Sequence, residues 1–207
     1  MPQWIDIDQN TPEWMALRVG RVGGSSIACI MAHYGNELGE PAKRLALRIA
    51  LEQLDGIDRS DDYTNKHFDR GHAEEPDAIE LYEKTFFCTV DKGGYFTEGT
   101  LLGISPDGRV FDDGLVEVKS RIYPVFKEAR LRGSYDPSDK WQCFLNLKVS
   151  GRKWLDYIEY CSKWLNGPSL LTTRIYAADL TKEFEQIDTR LTEFALLVRA
   201  EKEAAQK

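Results

Sequence analysis

The residues whose types and spacing could do chemistry are an aspartate in the turn Ser105-Pro106-Asp107-Gly108 and, ten residues on, an acid and a base in the run Leu115-Val116-Glu117-Val118-Lys119-Ser120. That run follows the turn-forming Asp112-Asp113-Gly114, and its valines favour a strand. Side chains alternate across a strand, so Glu117 and Lys119 share one face while Val116 and Val118 share the other, where they can meet a core. A preceding strand that ends at Asp107 and pairs with this one would bring Asp107 beside Glu117. Phosphodiester hydrolysis uses such a set: hard oxygen ligands for magnesium, which lowers the pKa of an attacking water, and a cation near the developing charge. In this reading Asp107 and Glu117 hold the ion, and the backbone carbonyl of Val118 is a further ligand. Lys119 orients or deprotonates the water. Glu75 supplies another acid, either to the waters of the metal or to a second ion. The expected cofactor is Mg2+, with Mn2+ as an alternative.

Each piece also has a plainer meaning. A Glu-x-Lys pair in a strand is ordinarily a solvated face with a cross-strand salt bridge. Pro-Asp-Gly is ordinarily a turn, and an acid in a first helical turn ordinarily offsets the helix dipole. The three together, in this order and at this spacing, carry the argument that none carries alone.

The elements that must position these residues are mixed. Thr11-Pro12-Glu13 reads as a capped helix start, giving a helix over about 12 to 19. Gly20, Gly23 and Gly24 break it, and Ser25 and Ser26 can cap a second helix to about His33. Leu45, Ile49 and Leu51 predict a helix over 41 to 54, and the polar stretch 55 to 66 reads as a loop. Glu74 to Thr85 reads as a helix with a proline near its start, and residues 75, 78, 79 and 82 share one face. Strand-like runs follow at 94 to 98, 101 to 105 and 115 to 120, a meander from which a core sheet could be built. Helices are expected at about 122 to 132 and 138 to 150, strands at 154 to 160 and 169 to 177, and a long amphipathic helix from about 179 to the end.

Size and composition fit one folded domain. With 207 residues, 42% hydrophobic and 29% charged, the chain can bury a substantial core. The expectation is a single domain over 1–207, with N-terminal helices 12–54 and a C-terminal helix 179–206 flanking a catalytic core. No cationic segment with an apolar run opens the sequence, and no stretch of about 18 apolar residues occurs, so a soluble, cytoplasmic protein without a membrane partner is expected. Cys29, Cys88, Cys143 and Cys161 form no Cys-x-x-Cys pair, and His33, His67 and His72 lack metal-ligand spacing. A net charge of -7 argues against a protein that coats DNA nonspecifically, yet leaves room for an enzyme whose basic residues line one groove or channel. No Gly-Lys-[Ser/Thr] occurs, which contradicts a P-loop ATPase. Trp154, Tyr157 and Tyr160 read as sheet packing and not as a base-stacking platform.

Four blocks in this sequence resemble the bacteriophage lambda exonuclease family, the YqaJ-type viral recombinases of the PD-(D/E)xK nuclease superfamily. They are Trp14-Met15-Ala16-Leu17-Arg18-Val19-Gly20 with Gly23-Gly24-Ser25-Ser26, and Gly71-His72-Ala73-Glu74-Glu75-Pro76-Asp77-Ala78 with Tyr82-Glu83. The third is Ser105-Pro106-Asp107-Gly108 with Leu115 to Lys119, and the fourth Trp141-Gln142-Cys143-Phe144 with Val149-Ser150-Gly151. They run in family order over about two thirds of the chain. Val22-Gly23-Gly24 departs from the isoleucine, threonine and alanine frequent in relatives. The resemblance implies a restriction-endonuclease-like α/β core, a mixed central sheet flanked by helices. It also implies magnesium, 5'-to-3' digestion of one strand of duplex DNA from its end, a ring-shaped homotrimer around DNA, and a single-strand annealing protein as partner in recombination. Residue by residue it assigns the metal to Asp107 and Glu117, the catalytic lysine to Lys119 and an accessory acid to Glu75. It places Arg18, Ser25 and Gln142 around the terminal phosphate and scissile strand. A guanidinium can grip a phosphate with two hydrogen bonds, and a hydroxyl at a helix N-terminus sits where anions are favoured; equally, Arg18 could cap a helix C-terminus and Ser25 could be only an N-cap. The rivals are an endonuclease on the same core, which would share the catalytic residues, and a noncatalytic DNA-binding or scaffold protein.

Overall fold

The structure, a computed structural model, describes residues 2–59 and 66–207. Its centre is a five-stranded sheet of β2 (Val90–Asp91), β5 (Gly108–Val110), β6 (Gly114–Ser120), β7 (Trp154–Tyr160) and β8 (Leu170–Tyr176), in the order β2-β5-β6-β7-β8. β6 and β7 run parallel and the other neighbours antiparallel, so the sheet is mixed as expected. Parallel neighbours need a long crossover, supplied here by helices α5 (Tyr123–Arg132) and α6 (Lys140–Ser150).

Both faces of the sheet are covered, and this decides where the chemistry can sit. Val116, Trp154 and Ile158 meet Ile79 and Tyr82 of helix α4 (Lys66–Phe86) on one face. On the other, Leu115, Leu155 and Tyr157 join a larger core with α6, α2 (Ile27–Met31), α3 (Glu40–Asp55) and α7 (Thr181–Ala205). Each such side chain contributes roughly 1.5–3 kcal/mol by leaving water. The valine face is therefore core, but so is the face of Glu117, which is 1% exposed. A solvated Glu-x-Lys stripe would require one open face, and along β6 this sheet is packed on both.

The expected meander divides between two sheets. β3 (Tyr95–Glu98) and β4 (Leu102–Ile104) pair with each other and with β1 (Gln3–Ile5) in a separate three-stranded sheet, whereas β5 and β6 belong to the central one. Asp107 thus precedes the short β5 instead of ending the strand before it. The helix expected from Glu74 begins at Lys66, with Pro76 in its interior. A proline costs an interior helix about 3 kcal/mol, and burial of Ala78, Ile79 and Tyr82 on the same helix offsets it. Helix α1 (Pro12–Arg18) is capped as expected, the Thr11 hydroxyl accepting from the Trp14 N–H at 3.2 Å. Ser26 makes no such cap bond; its hydroxyl accepts from Gly23 N–H and donates to Gly23 C=O, both at 3.0 Å, and shapes the loop before α2. His33 is exposed and the four cysteines are free thiols. Residues 60–65 of the expected loop 55–66 and the side chains of His67 and His72 lie outside the described residues. No helix among the described residues is long and apolar enough to cross a membrane.

Candidate active site

The C-terminal end of β6 opens into a cleft of about 550 Å3, lined among the described residues by Ser25, Glu75, Asp107, Glu117, Lys119 and Gln142 together with Arg70, Arg121, Ile122 and Val125. Crevices beyond the carboxyl ends of parallel strands are where α/β sheets commonly take ligands.

Asp107 reaches the cleft through strand register. Gly108 pairs with Val116, which sets Asp107 opposite Glu117, and Asp107 Oδ2 accepts from the Val118 N–H at 2.6 Å. Gly108 has to be glycine, since a Cβ there would lie 2.2 Å from Val90 Cγ1 and 3.1 Å from Val116 Cγ2. The turn before it is tied down: the Gln9 amide donates to Pro106 C=O at 3.0 Å, and the Trp14 indole donates to Ser105 Oγ at 3.1 Å. The N–H and C=O of one strand residue point to the same edge, so the Val118 carbonyl also faces the Asp107 side.

Glu117 lies on the floor. Its Oε1 accepts from Lys119 Nζ at 2.8 Å and from Gln142 Nε2 at 2.5 Å, and its Oε2 from Asn146 Nδ2 at 2.9 Å. Lys119 Nζ also donates to Gln142 Oε1 at 3.0 Å. Burial pushes the Asp107 carboxyl well above the usual carboxylate range, the negative charges of Glu117 and Glu75 push it further, and Lys119 and the Val118 N–H do not reverse this. Burial works against the Lys119 ammonium, yet Glu117 and Asp107 outweigh it and hold its pKa above the ordinary value. Around Asp107 the charges of Glu117 and Glu75 outweigh that of Lys119, a local excess of negative charge.

That excess, with oxygen donors from Asp107, Glu117 and the Val118 carbonyl, fits a hard divalent cation. Among the described residues no group of three or more His, Cys, Asp or Glu side chains forms a ready cage. Magnesium does not need one, because it is usually held by one or two carboxylates and keeps several waters.

Of the remaining expected residues, Glu75 lines the cleft from α4, and Ser25 and Gln142 line it from the loop before α2 and from α6. Arg18 does not line it. It is exposed, with its guanidinium 4.3 Å from the centre of the Trp14 ring, one residue removed from Ser105 through the Trp14 indole bond.

A family model, the YqaJ-like viral recombinase domain, matches residues 13–153, which contain α2 to α6, all but the first residue of α1 and all of these cleft residues. The chain belongs to the YqaJ-like viral recombinase family. Among solved structures, this YqaJ-like chain is similar to an alkaline exonuclease, LHK-Exo, from Laribacter hongkongensis, at 26% identity and a TM-score of 0.82 over 95% of this chain and 96% of that one. It matches the same LHK-Exo in complex with dAMP at 26% identity and a TM-score of 0.78, over 95% and 98%. A phage related exonuclease from Haemophilus somnus 129PT shares the fold at 14% identity and a TM-score of 0.63, over 93% and 98%. No curated protein sequence matches the chain.

Several residues of this candidate site in the YqaJ-like chain were not singled out from sequence. Asn146 is one helical turn beyond Gln142, so helix period alone puts both on one face. Arg121 continues the alternation of Glu117 and Lys119. Arg70, four residues before Glu74, donates to Ser120 Oγ and Ser120 C=O, both at 3.3 Å, while the Ser120 hydroxyl donates to Glu74.

Proposed function

We propose that the chain is a nuclease of the lambda exonuclease type that digests one strand of linear duplex DNA from its 5' end, using Mg2+ and the residues Asp107, Glu117 and Lys119. The observation that carries this reading is the convergence of those three side chains, with Glu75, in one cleft of a YqaJ-like chain. That LHK-Exo was solved with dAMP supports a cleft suited to a deoxynucleotide.

Asp107, Glu117 and the Val118 carbonyl would hold the magnesium, which when bound supplies a lowered water pKa and neutralises charge on the phosphate. Lys119, kept cationic by its two carboxylate neighbours, orients the attacking water and faces the charge that develops on phosphorus oxygens. Gln142 bridges Lys119 and Glu117 and fixes their spacing. Glu75 acts through the waters around the ion. Ser25 stands on the cleft wall where a strand terminus would lie, and Arg18, on the Trp14 ring, grips a phosphate beyond it. In this reading a ring of three copies encircles the duplex and confines positive potential to its channel, which suits a net charge of -7. The protein works in the cytoplasm beside a single-strand annealing protein, and the whole of 1–207 is one nuclease domain.

The test uses linear duplex with 5' phosphates, the same duplex with 5' hydroxyls, and a closed circle, each with Mg2+, and Lys119→Ala in parallel. Expected are loss of one strand from the 5' ends, an intact circle, and a fall of roughly 10^2 to 10^4-fold for the variant. Nicking of the circle would instead indicate an endonuclease. No metal-dependent hydrolysis of any DNA would leave a noncatalytic DNA-binding protein.

A further inference from the structure

Asn146 is 1% exposed, a polar side chain within an otherwise apolar stretch of α6 that includes Cys143, Phe144, Leu145 and Leu147. A buried amide is costly unless it is bonded, and this one donates to Glu117 Oε2 at 2.9 Å. An ionised carboxylate only accepts, so the amide must present its NH2 to it. A carboxylate offers about four lone-pair positions, about two on each oxygen. Lys119 and Gln142 occupy both on Oε1. Among the described residues, Asn146 takes one on Oε2, and the remaining capacity of Glu117 is on that oxygen.

We propose that Asn146 is a positioning residue for the cation site: its amide fixes the rotation of the Glu117 carboxylate so that the remaining lone pair of Oε2 faces the ion held with Asp107 and Val118. The inference rests on the metal-dependent reading given above. A neutral amide suits the task because it satisfies a buried carboxylate without adding a positive charge that would oppose the metal. Gly24 reinforces it. A Cβ at Gly24 would lie 3.0 Å from Gln142 Cγ and 3.2 Å from Asn146 Oδ1, so the loop that carries Ser25 packs down on both amides and restricts their rotamers.

The test titrates Mn2+ alone into the DNA-free full-length chain by calorimetry, for the wild type and for Asn146→Leu, which keeps the shape of asparagine and removes the donor. Lost support of a metal ligand commonly weakens binding about 10 to 100-fold, and a loss of at least about tenfold is expected. A purely structural role predicts a lower melting temperature in chelator with Mn2+ affinity within about twofold of wild type, and that result overturns the inference. If Asn146→Leu does not fold, Asn146→Ser, whose donor is too short to reach Oε2, takes its place; if neither folds, Asn146 is structural and the inference fails. A wild type that binds Mn2+ but leaves linear duplex uncut would sink the nuclease reading alone, with Asn146 still judged on affinity. A wild type that binds no Mn2+ would overturn both.

Discussion

Two clusters of buried charge sit within a few residues of each other on β6 and β7, and they are built on opposite principles. In the cleft, Asp107 and Glu117 flank the Lys119 ammonium, and burial together with the charges of Glu117 and Glu75 holds the Asp107 carboxyl above its usual range. Beyond Ser120, Arg121 donates to Glu159 at 3.0 Å, to Asp139 at 2.6 Å and to the Tyr157 hydroxyl at 2.6 Å, while Arg132 donates to the other Glu159 oxygen at 2.7 Å. There Asp136 behaves oppositely to Asp107: burial pushes its carboxyl up, but hydrogen bonds from Ser138 and the charges of Arg121 and Arg132 hold it down. The second cluster is saturated and locks the crossover helices to the sheet. The first holds an acid that burial and neighbouring acids push up, the kind of perturbed group that clusters at functional sites.

The largest effect expected on the saturated side follows from deleting Glu159, which is 2% exposed and accepts from both arginines. Glu159→Ala strands two buried guanidinium contacts and should cost about 3 to 5 kcal/mol, lowering the melting temperature on the order of 10 °C. Calorimetry reads this directly. A shift of only a degree or two would mean that the network is not the lock described.

The two clusters were not equally legible in the sequence. The strand 115–120 and its alternation were, because valines flank the acid and a turn signal precedes it; the nearness of Asp107 to Glu117 was expected too, but from the strand before Asp107, whereas the short β5 after it makes the pairing. The arginine network was not, since it joins residues from α5, α6 and β7 whose nearness depends on the crossover. Asn146 was hidden by the apolar residues around it, which mark α6 as a core helix without showing which polar side chain a buried acid would need. The start of α4 was misplaced because a proline reads locally as a first-turn residue, while packing of a long helix tolerates it inside. The division of the meander between two sheets was invisible for a related reason: strand propensity is local, and sheet partnership is not.

On the cleft side the sign reverses. Asp107→Asn can still accept from the Val118 N–H while removing one of the crowded negative charges, so the metal-free protein at neutral pH should become more stable by about 1 kcal/mol as its nuclease activity disappears. Thermal melts in chelator and in Mg2+ measure both halves. The wild type should gain stability from Mg2+ and the variant should not. A less stable variant in chelator would show that the Asp107 charge is not crowded after all.

The smallest effect sharpens the contrast through pH. The Asp136 carboxyl accepts from Ser138 N–H at 2.9 Å and from the Ser138 hydroxyl at 2.7 Å, and its other oxygen stands 3.7 Å from both Arg121 and Arg132. Its folded pKa lies below the ordinary 3.8, so the charged form is favoured by folding. That contribution is fully present above the unfolded value and is lost as pH falls through the folded one. Asp136→Asn keeps an acceptor for Ser138 and loses only the charge. It should therefore cost about 0.5 to 1 kcal/mol at neutral pH and progressively less below the unfolded pKa, where the wild-type carboxyl also becomes neutral. Denaturant midpoints measured for both proteins across that range should converge on the acid side; a gap that stays constant with pH would assign the loss to shape, not charge, and would remove Asp136 from the comparison with Asp107.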